Sequence, residues 1–318
     1  MQRPLILVTN DDGVDSLGLW AVVEALLPLG EILVVAPDRQ WSGAGRAMPR
    51  DVTGRIEEIP QSAPQAPRVY AVDASPAQAV DHAVLELAPR PIALVVSGIN
   101  FGLNLGTDVT MSGTVGAALE AAAFGIPALA VSLEMDQSYH LSGDDGADYT
   151  AAIDYTRRFA RRLLCRVLPH DVDMFNVNVP ATATRDTSWR LTKLSQRRYF
   201  LPVAPDRTNG PGRIGYKMIE DVRACERDSD IWAVHVDHVV SVTPLSLNLT
   251  SRANFDVAPT RFGIAWAAGL DMPELQTFLY GGSTQDFRPR SLTGEPWLSG
   301  LAETVPQEEL FVYDPELD

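Results

Sequence analysis

Short, continuously apolar runs alternate with stretches of helical period through the first half of this chain, and that rhythm limits the fold more than any other feature. Leu5-Ile6-Leu7-Val8 has no polar alternation, as expected of a strand covered on both faces. Apolar residues then recur at helical spacing (Leu19, Val22, Val23, Leu26, Leu27) until Gly30, and Ile32-Leu33-Val34-Val35 reads as a second strand. A third run, Ile92 to Val96, follows the helix-like stretch Ala77 to Leu87. A fourth, Ala128 to Val131, follows the alanine-rich stretch Thr114 to Ala123. Strand, helix, strand in this order implies an α/β fold: a Rossmann-like, doubly wound, mostly parallel sheet with right-handed crossovers.

The interval from Ala47 to Pro67 breaks the rhythm with polar residues and prolines and reads as an inserted hairpin or loop. A helix over about 148–168 leads to a strand at Met174 to Val179, closed by Pro180. Beyond Trp189 the texture changes to alternating pieces such as Val234 to Val240, and Pro202 to Ile214 reads as a loop or the tip of an extended arm. The expected organisation is a catalytic domain over 1–186, an arm and subunit-interface region over 187–255, and an acidic extension over 256–318.

Composition narrows the function classes. The formal charge of −15 over 318 residues opposes wrapping of a nucleic-acid duplex, which needs a basic face, but leaves room for a small anionic substrate. Between Ile264 and Asp318 ten acidic residues meet only two arginines, the pattern of a solvated acidic tail. No apolar run reaches the roughly 18–20 residues of a membrane span, and Met1-Gln2-Arg3 does not open a secretory leader, so a cytoplasmic location is expected. Two cysteines are too few for a disulfide framework, and Cys165 falls in a helical pattern as a core residue. The five histidines (82, 140, 170, 235 and 238) share no ligand spacing.

In an open parallel sheet, ligands gather at the carboxyl ends of strands. The first strand ends in Thr9-Asn10-Asp11-Asp12-Gly13, the second in Ala36-Pro37-Asp38 leading to Ser42-Gly43-Ala44-Gly45. The third gives Ser97-Gly98-Ile99-Asn100, then Gly102 to Gly106. Adjacent carboxylates are costly unless a cation joins them. Carboxylate, hydroxyl and amide oxygens without His or Cys suit Mg²⁺ or Mn²⁺ rather than zinc. Ser112-Gly113-Thr114 stands directly before a helix, where free N–H groups and the helix dipole favour an anion. A metal beside a phosphate cradle is the apparatus of metal-assisted phosphoester hydrolysis. Taken singly, each piece has a plainer reading: the acidic pair and Ser112 can both be helix caps.

Together, and in this order, these motifs resemble the SurE family of survival-protein nucleotidases. The resemblance includes Ile6 to Gly13, Val35 to Asp38 with Ser42 to Gly45, Ser97 to Asp108, Ser112 to Ala118, Asn176 to Pro180 and Val240 to Leu245, and spans about residues 4–247. It implies a nucleoside 5′-monophosphate phosphohydrolase, with 3′-nucleotides and short polyphosphate as further substrates. It implies one Mg²⁺ or Mn²⁺ per subunit held by Asp11, Asp12, Ser42 and Asn100. Asn104, Ser112, Gly113 and Thr114 match the phosphate-side residues, and an exchanged β-arm implies a homodimer or homotetramer. Hydrolysis by metal-activated water follows, with Asp12 favoured to orient or deprotonate it. Lys193, Arg197 and Arg198 match a basic patch of the family.

Two positions depart from the family pattern. Arg46-Ala47 stands where His-Ser is common, and Arg46 either brings charge toward the phosphate or is an exposed loop residue. Trp41 replaces a smaller or charged residue beside Ser42, where it either stacks on a base or packs on the inserted hairpin. A nucleotide-sugar transferase and a non-catalytic Rossmann-type binding module are the rival readings. Phosphate release from AMP or GMP without an acceptor separates them from the hydrolase.

Overall fold

The computed structural model describes residues 2–61, 63, 66–135, 147–165, 168–208 and 210–250. Met1–Asn248 is one compact unit; the second unit, Leu249–Asp318, and with it the acidic extension, falls almost wholly outside the described residues. The central strand β1 (Leu5–Thr9) is buried along its whole length. It pairs in parallel with β2 (Glu31–Pro37) on one side and with β5 (Leu94–Phe101) on the other. Beyond β2 come β4 (Arg68–Val72), parallel, and β3 (Ile56–Glu58), antiparallel. Beyond β5 come β6 (Ala128–Leu133) and β7 (Met174–Val179), both parallel. The strand order β3-β4-β2-β1-β5-β6-β7-β11-β8 therefore reverses between β1 and β5, the place where open α/β sheets bind ligands.

Side-chain alternation along β1 divides the core. Ile6 and Val8 face α1 (Leu17–Leu26) and α4 (Thr150–Cys165), packing with Leu19, Val22, Tyr155 and Phe159. Leu5 and Leu7 face the other layer, where α2 (Pro76–His82) and α3 (Gly113–Ala123) supply Val80, Val115, Ala118 and Ala121. Each such leucine or valine contributes about 1.5–3 kcal/mol on burial, so the uninterrupted apolar runs are the price of two covered faces.

Several expectations are corrected. β5 starts at Leu94 rather than Ile92 and continues to Phe101, so Ser97-Gly98-Ile99-Asn100 lies inside the strand, across a register shift. β3 does fall in the interval expected as a hairpin, but its partner β4 follows that interval and belongs to the main sheet. Val234 to Val240 is not a strand: α5 (Asp230–His235) precedes a turn, and β11 (Val240–Leu245) begins at Val240. Ser229 caps α5 through Trp232 N (3.2 Å), and Ile231 and Val234 are buried three residues apart, a helical period concealed by β-branched residues. Cys165 is exposed rather than core. The buried stripe of α4 ends at Leu163, and two further residues rotate the helix by roughly 200°.

The region expected as an arm is divided. β11 lies antiparallel to β7, and β8 (Trp189–Leu191) parallel to β11, so both extend the main sheet. Only β9 (Phe200–Val203) and β10 (Gly215–Met218) form a separate two-stranded sheet, with Val203, Ile214, Tyr216 and Met218 exposed. Among the described residues no helix is long and apolar enough to cross a membrane.

Candidate active site

The acidic pair leaves β1 through a turn that the Asn10 side chain closes on itself. Asn10 Nδ2 donates to Gly13 O (2.9 Å), and Gly13 N donates to Asn10 Oδ1 (3.2 Å). Asp11 is buried, and its Oδ1 accepts the Thr114 hydroxyl at 2.5 Å. Backbone N–H groups of Gly113 and Thr114 also bond the Asp11 carboxylate; burial raises its pKa and these bonds oppose the rise. Gly113 makes this approach possible: a Cβ there would lie 2.6 Å from Asp11 Cβ. Half-buried Asp12 accepts Gln40 Nε2 at 3.3 Å and Phe101 N at 3.4 Å. Its pKa is raised by burial first and by the neighbouring Asp11 charge second.

Ser42 stands exposed on the turn after β2, joined to the acidic turn by Trp41 N donating to Asp11 O (2.7 Å). Asn100 lies on β5 just past the register shift, where Gly98 (φ 132°) comes so close to β6 that a Cβ would meet Val131 O at 2.3 Å. The Asn100 amide nitrogen donates to Gly102 O (2.8 Å), which leaves the amide oxygen as the atom suited to a cation. Two adjacent carboxylates raised by burial, a hydroxyl and a carboxamide form an all-oxygen set that fits a hard divalent cation. Among the described residues no group of three or more His, Cys, Asp or Glu side chains that could hold a metal ion gathers.

On the phosphate side, Ser112 caps α3, its Oγ accepting Val115 N at 3.1 Å. The structure thus brings Gly113 and Thr114 onto Asp11, with Ser112 as the cap just before them. Asn104 sits differently from a simple phosphate ligand. Its Nδ2 donates to Ser132 Oγ (2.8 Å), while its backbone is held by Asn178 Oδ1 (2.8 Å), Asn176 Nδ2 (2.8 Å) and Asn178 Nδ2 (3.0 Å). The Ser42 loop rests on the start of the α3 layer through Gly45 N donating to Met111 O (2.9 Å).

Arg46 is an exposed loop residue, the second of its two readings, and its Nε meets Glu120 Oε2 of α3 at 2.6 Å. Trp41 is half-buried, with the Arg39 guanidinium 5.0 Å from its ring centroid, and Arg39 is itself held by Asp73 (2.6 Å) and Asp38 (3.1 Å). Lys193 pairs with Asp228 (3.4 Å), and the Arg197 carbonyl accepts Thr107 N (3.1 Å). Of the histidines, His235 stacks on Tyr199 (5.1 Å), and His140 lies outside the described residues. Sequence reasoning missed Asn10, Gln40 and the buried carboxylates Asp108 and Asp230. Gln40 was within reach, since it follows the same strand end as Ser42. The two carboxylates were not, because their partners are distant in the chain.

Comparisons with known proteins agree on one family. The family model for survival protein SurE matches residues 6–200. The 5′-nucleotidase SurE of Thermococcus gammatolerans is 42% identical over 79% of this chain and 93% of its own length. That of Archaeoglobus fulgidus is 39% identical over 82% of this chain and 98% of its own. The crystal structure of SurE protein from Aquifex aeolicus aligns with a TM-score of 0.65 at 30% identity, covering 83% of this chain and all of that one. With matches of this length, the chain belongs to the SurE family.

Proposed function

We propose that this protein is a phosphomonoesterase that hydrolyses nucleoside 5′-monophosphates to nucleoside and phosphate. The observation that carries the reading is the packing of the Asp11-Asp12 turn against the N-terminus of α3, where carboxylates and anion-suited N–H groups converge. The printed names of the relatives, 5′-nucleotidase SurE, support the same reaction.

Asp11, Asp12, Ser42 and Asn100 would hold one Mg²⁺ or Mn²⁺. Such an ion, when bound, polarises a phosphoryl oxygen and acidifies water. Asp12, less buried than Asp11 and bonded by Gln40 and Phe101 N, orients the attacking water and receives its proton. Asp11 is fixed by Thr114 and anchors the cation side. The Ser112-Gly113-Thr114 turn, whose Gly113 and Thr114 N–H groups bond Asp11, would present the Ser112 hydroxyl to phosphate oxygens, and Asn104 would border them. Trp41 offers an aromatic face for the base, and Arg46, neutralised by Glu120, acts on the loop rather than on the phosphate.

The test is phosphate release from 5′- and 3′-nucleoside monophosphates and short polyphosphate, with Mg²⁺, Mn²⁺ or EDTA and no acceptor. Release that EDTA abolishes is expected. Absence of release with any metal from folded protein would overturn the reading. The exposed apolar residues of the β9–β10 hairpin support its exchange between copies in a homodimer or homotetramer, which light scattering tests as a mass of two or four chains.

A further inference from the structure

Two buried carboxylates touch none of the reacting groups, yet both grip the stretch that leads into the phosphate turn. Asp108 lies in a 3₁₀ turn, Thr107–Met111, immediately before Ser112. Its Oδ2 accepts the backbone N–H groups of Tyr199 (2.8 Å) and Phe200 (2.7 Å), where β9 begins. Asp230, at the start of α5, accepts Gly106 N on Oδ2 (2.7 Å), and Ser195 N (2.9 Å) and Ile231 N (2.8 Å) on Oδ1. Between them Thr107 N donates to Arg197 O (3.1 Å), and a Cβ on Gly106 would lie only 2.3 Å from that same carbonyl. Residues 106–108 and 195–200 therefore lie flush, held by anions that each accept at least two N–H groups, the stronger class of hydrogen bond.

The far end of the same 3₁₀ turn carries the site. Met111 O accepts Gly45 N (2.9 Å) from the Ser42 loop, and a Cβ on Gly45 would meet Thr110 O at 2.9 Å. The next residue, Ser112, caps α3 and starts the turn that bonds Asp11. A shift of Thr107–Met111 would move the Ser42 loop and the Ser112–Thr114 turn together.

We infer that Asp108 and Asp230 are positioning residues: they lock the Thr107–Met111 turn to the base of the β9–β10 hairpin and so set the spacing between Ser42, Asp11 and the phosphate turn. The catalytic consequence rests on the phosphohydrolase reading; the mechanical one rests on the hydrogen bonds alone. The hairpin base is thereby part of the site's frame although it supplies no reacting atom.

The experiment compares wild type with Asp108→Ala, Asp108→Asn and Leu26→Ala. Leu26 is a fully buried core residue of α1, so its truncation lowers the melting temperature without touching the turn. Two readouts are taken: hydrogen exchange of amides 106–116, and phosphate release from AMP and from p-nitrophenyl phosphate. Asp108→Ala is expected to speed exchange in that segment at least tenfold and to lower kcat/KM at least tenfold, equally for both substrates. Asp108→Asn keeps an oxygen acceptor and should return both readouts to within about threefold of wild type. Leu26→Ala should change neither, despite its lower melting temperature. Unchanged exchange in Asp108→Ala, or equal losses in Leu26→Ala, would overturn the inference. If wild type releases no phosphate, the phosphohydrolase reading fails, and exchange alone decides whether the lock exists. Should Asp108→Ala fail to fold, Asp230→Asn carries the same readouts. Both Asp230 oxygens accept N–H groups, so the amide NH₂ must face Gly106 N or Ser195 N. Faster exchange of amides 106–116 is then expected, and unchanged exchange would overturn the inference.

Discussion

The Thr114 hydroxyl donates to the Asp11 carboxylate at 2.5 Å, joining the first turn of α3 to the end of β1 across 103 residues of chain. Because Thr114 follows the Ser112 cap by two residues, the helix end holds the buried acid through both the Thr114 hydroxyl and the N–H groups of Gly113 and Thr114. The proposed metal and phosphate sides thus share one contact, which makes the site sensitive to very small changes.

Gly113→Ala tests the contact directly. The added Cβ would lie 2.6 Å from Asp11 Cβ and 2.7 Å from Oδ2, so the acid or the helix must move. Alanine is the better helix former by about 1 kcal/mol, which offsets part of the destabilisation. Steady-state kinetics should show kcat/KM reduced at least about tenfold, because misplaced catalytic groups are heavily penalised. Full activity in a folded Gly113→Ala protein would show that the close approach is irrelevant.

Asp12→Asn should retain the fold by circular dichroism and lose at least about 10²-fold in turnover, the lower range for removal of a general base. Near-normal turnover would remove Asp12 from its proposed role.

Trp41→Ala separates base recognition from phosphate chemistry. Base–aromatic stacking is worth about 1–3 kcal/mol, so kcat/KM for AMP should fall by about five- to 150-fold while p-nitrophenyl phosphate is spared. Equal losses on both substrates would assign Trp41 to loop packing instead.

Asp230 gives a pH prediction. Burial raises its carboxyl to about 6 despite the backbone N–H groups that it accepts. A folded pKa above the unfolded value means that the folded state holds the proton longer. Its contribution is therefore full below about 4 and is lost as pH rises through about 6. Denaturant melts of wild type and Asp230→Asn should show wild type losing ground to the variant, by a few kcal/mol at most, between pH 4 and pH 7. Parallel curves over that range would refute the assignment.

The parts of the molecule that the sequence made legible are those whose cause is local. Leu5 to Val8 and Ala128 to Val131 read as strands because burial on both faces removes polar alternation. Asp11, Asp12 and Ser112 to Thr114 stood out because strand ends and helix starts are recognisable in sequence. Contacts between remote residues carried no such signal. The partners of Asp108 are 91 and 92 residues away, Arg46 meets Glu120 74 residues on, and Asn104 joins Asn176 and Asn178 through backbone and amide groups. Val234 was misread because a six-residue helix is too short for its period to outweigh β-branched residues.

The strand order carries a consequence for the making of the protein. β1 leaves the ribosome well before its neighbour β5, which starts at Leu94, and the bond from Gly106 to Asp230 closes a loop of 124 residues. Closing such loops comes late, since their entropy must be met before the contacts reward it. A nascent chain halted before Asp230 would possess every proposed reacting residue and the Asp108 half of the lock, but not the bond from Asp230 to Gly106. Activity regained on refolding is therefore expected to trail the pairing of β1 with β5 and to await the segment that carries Asp230.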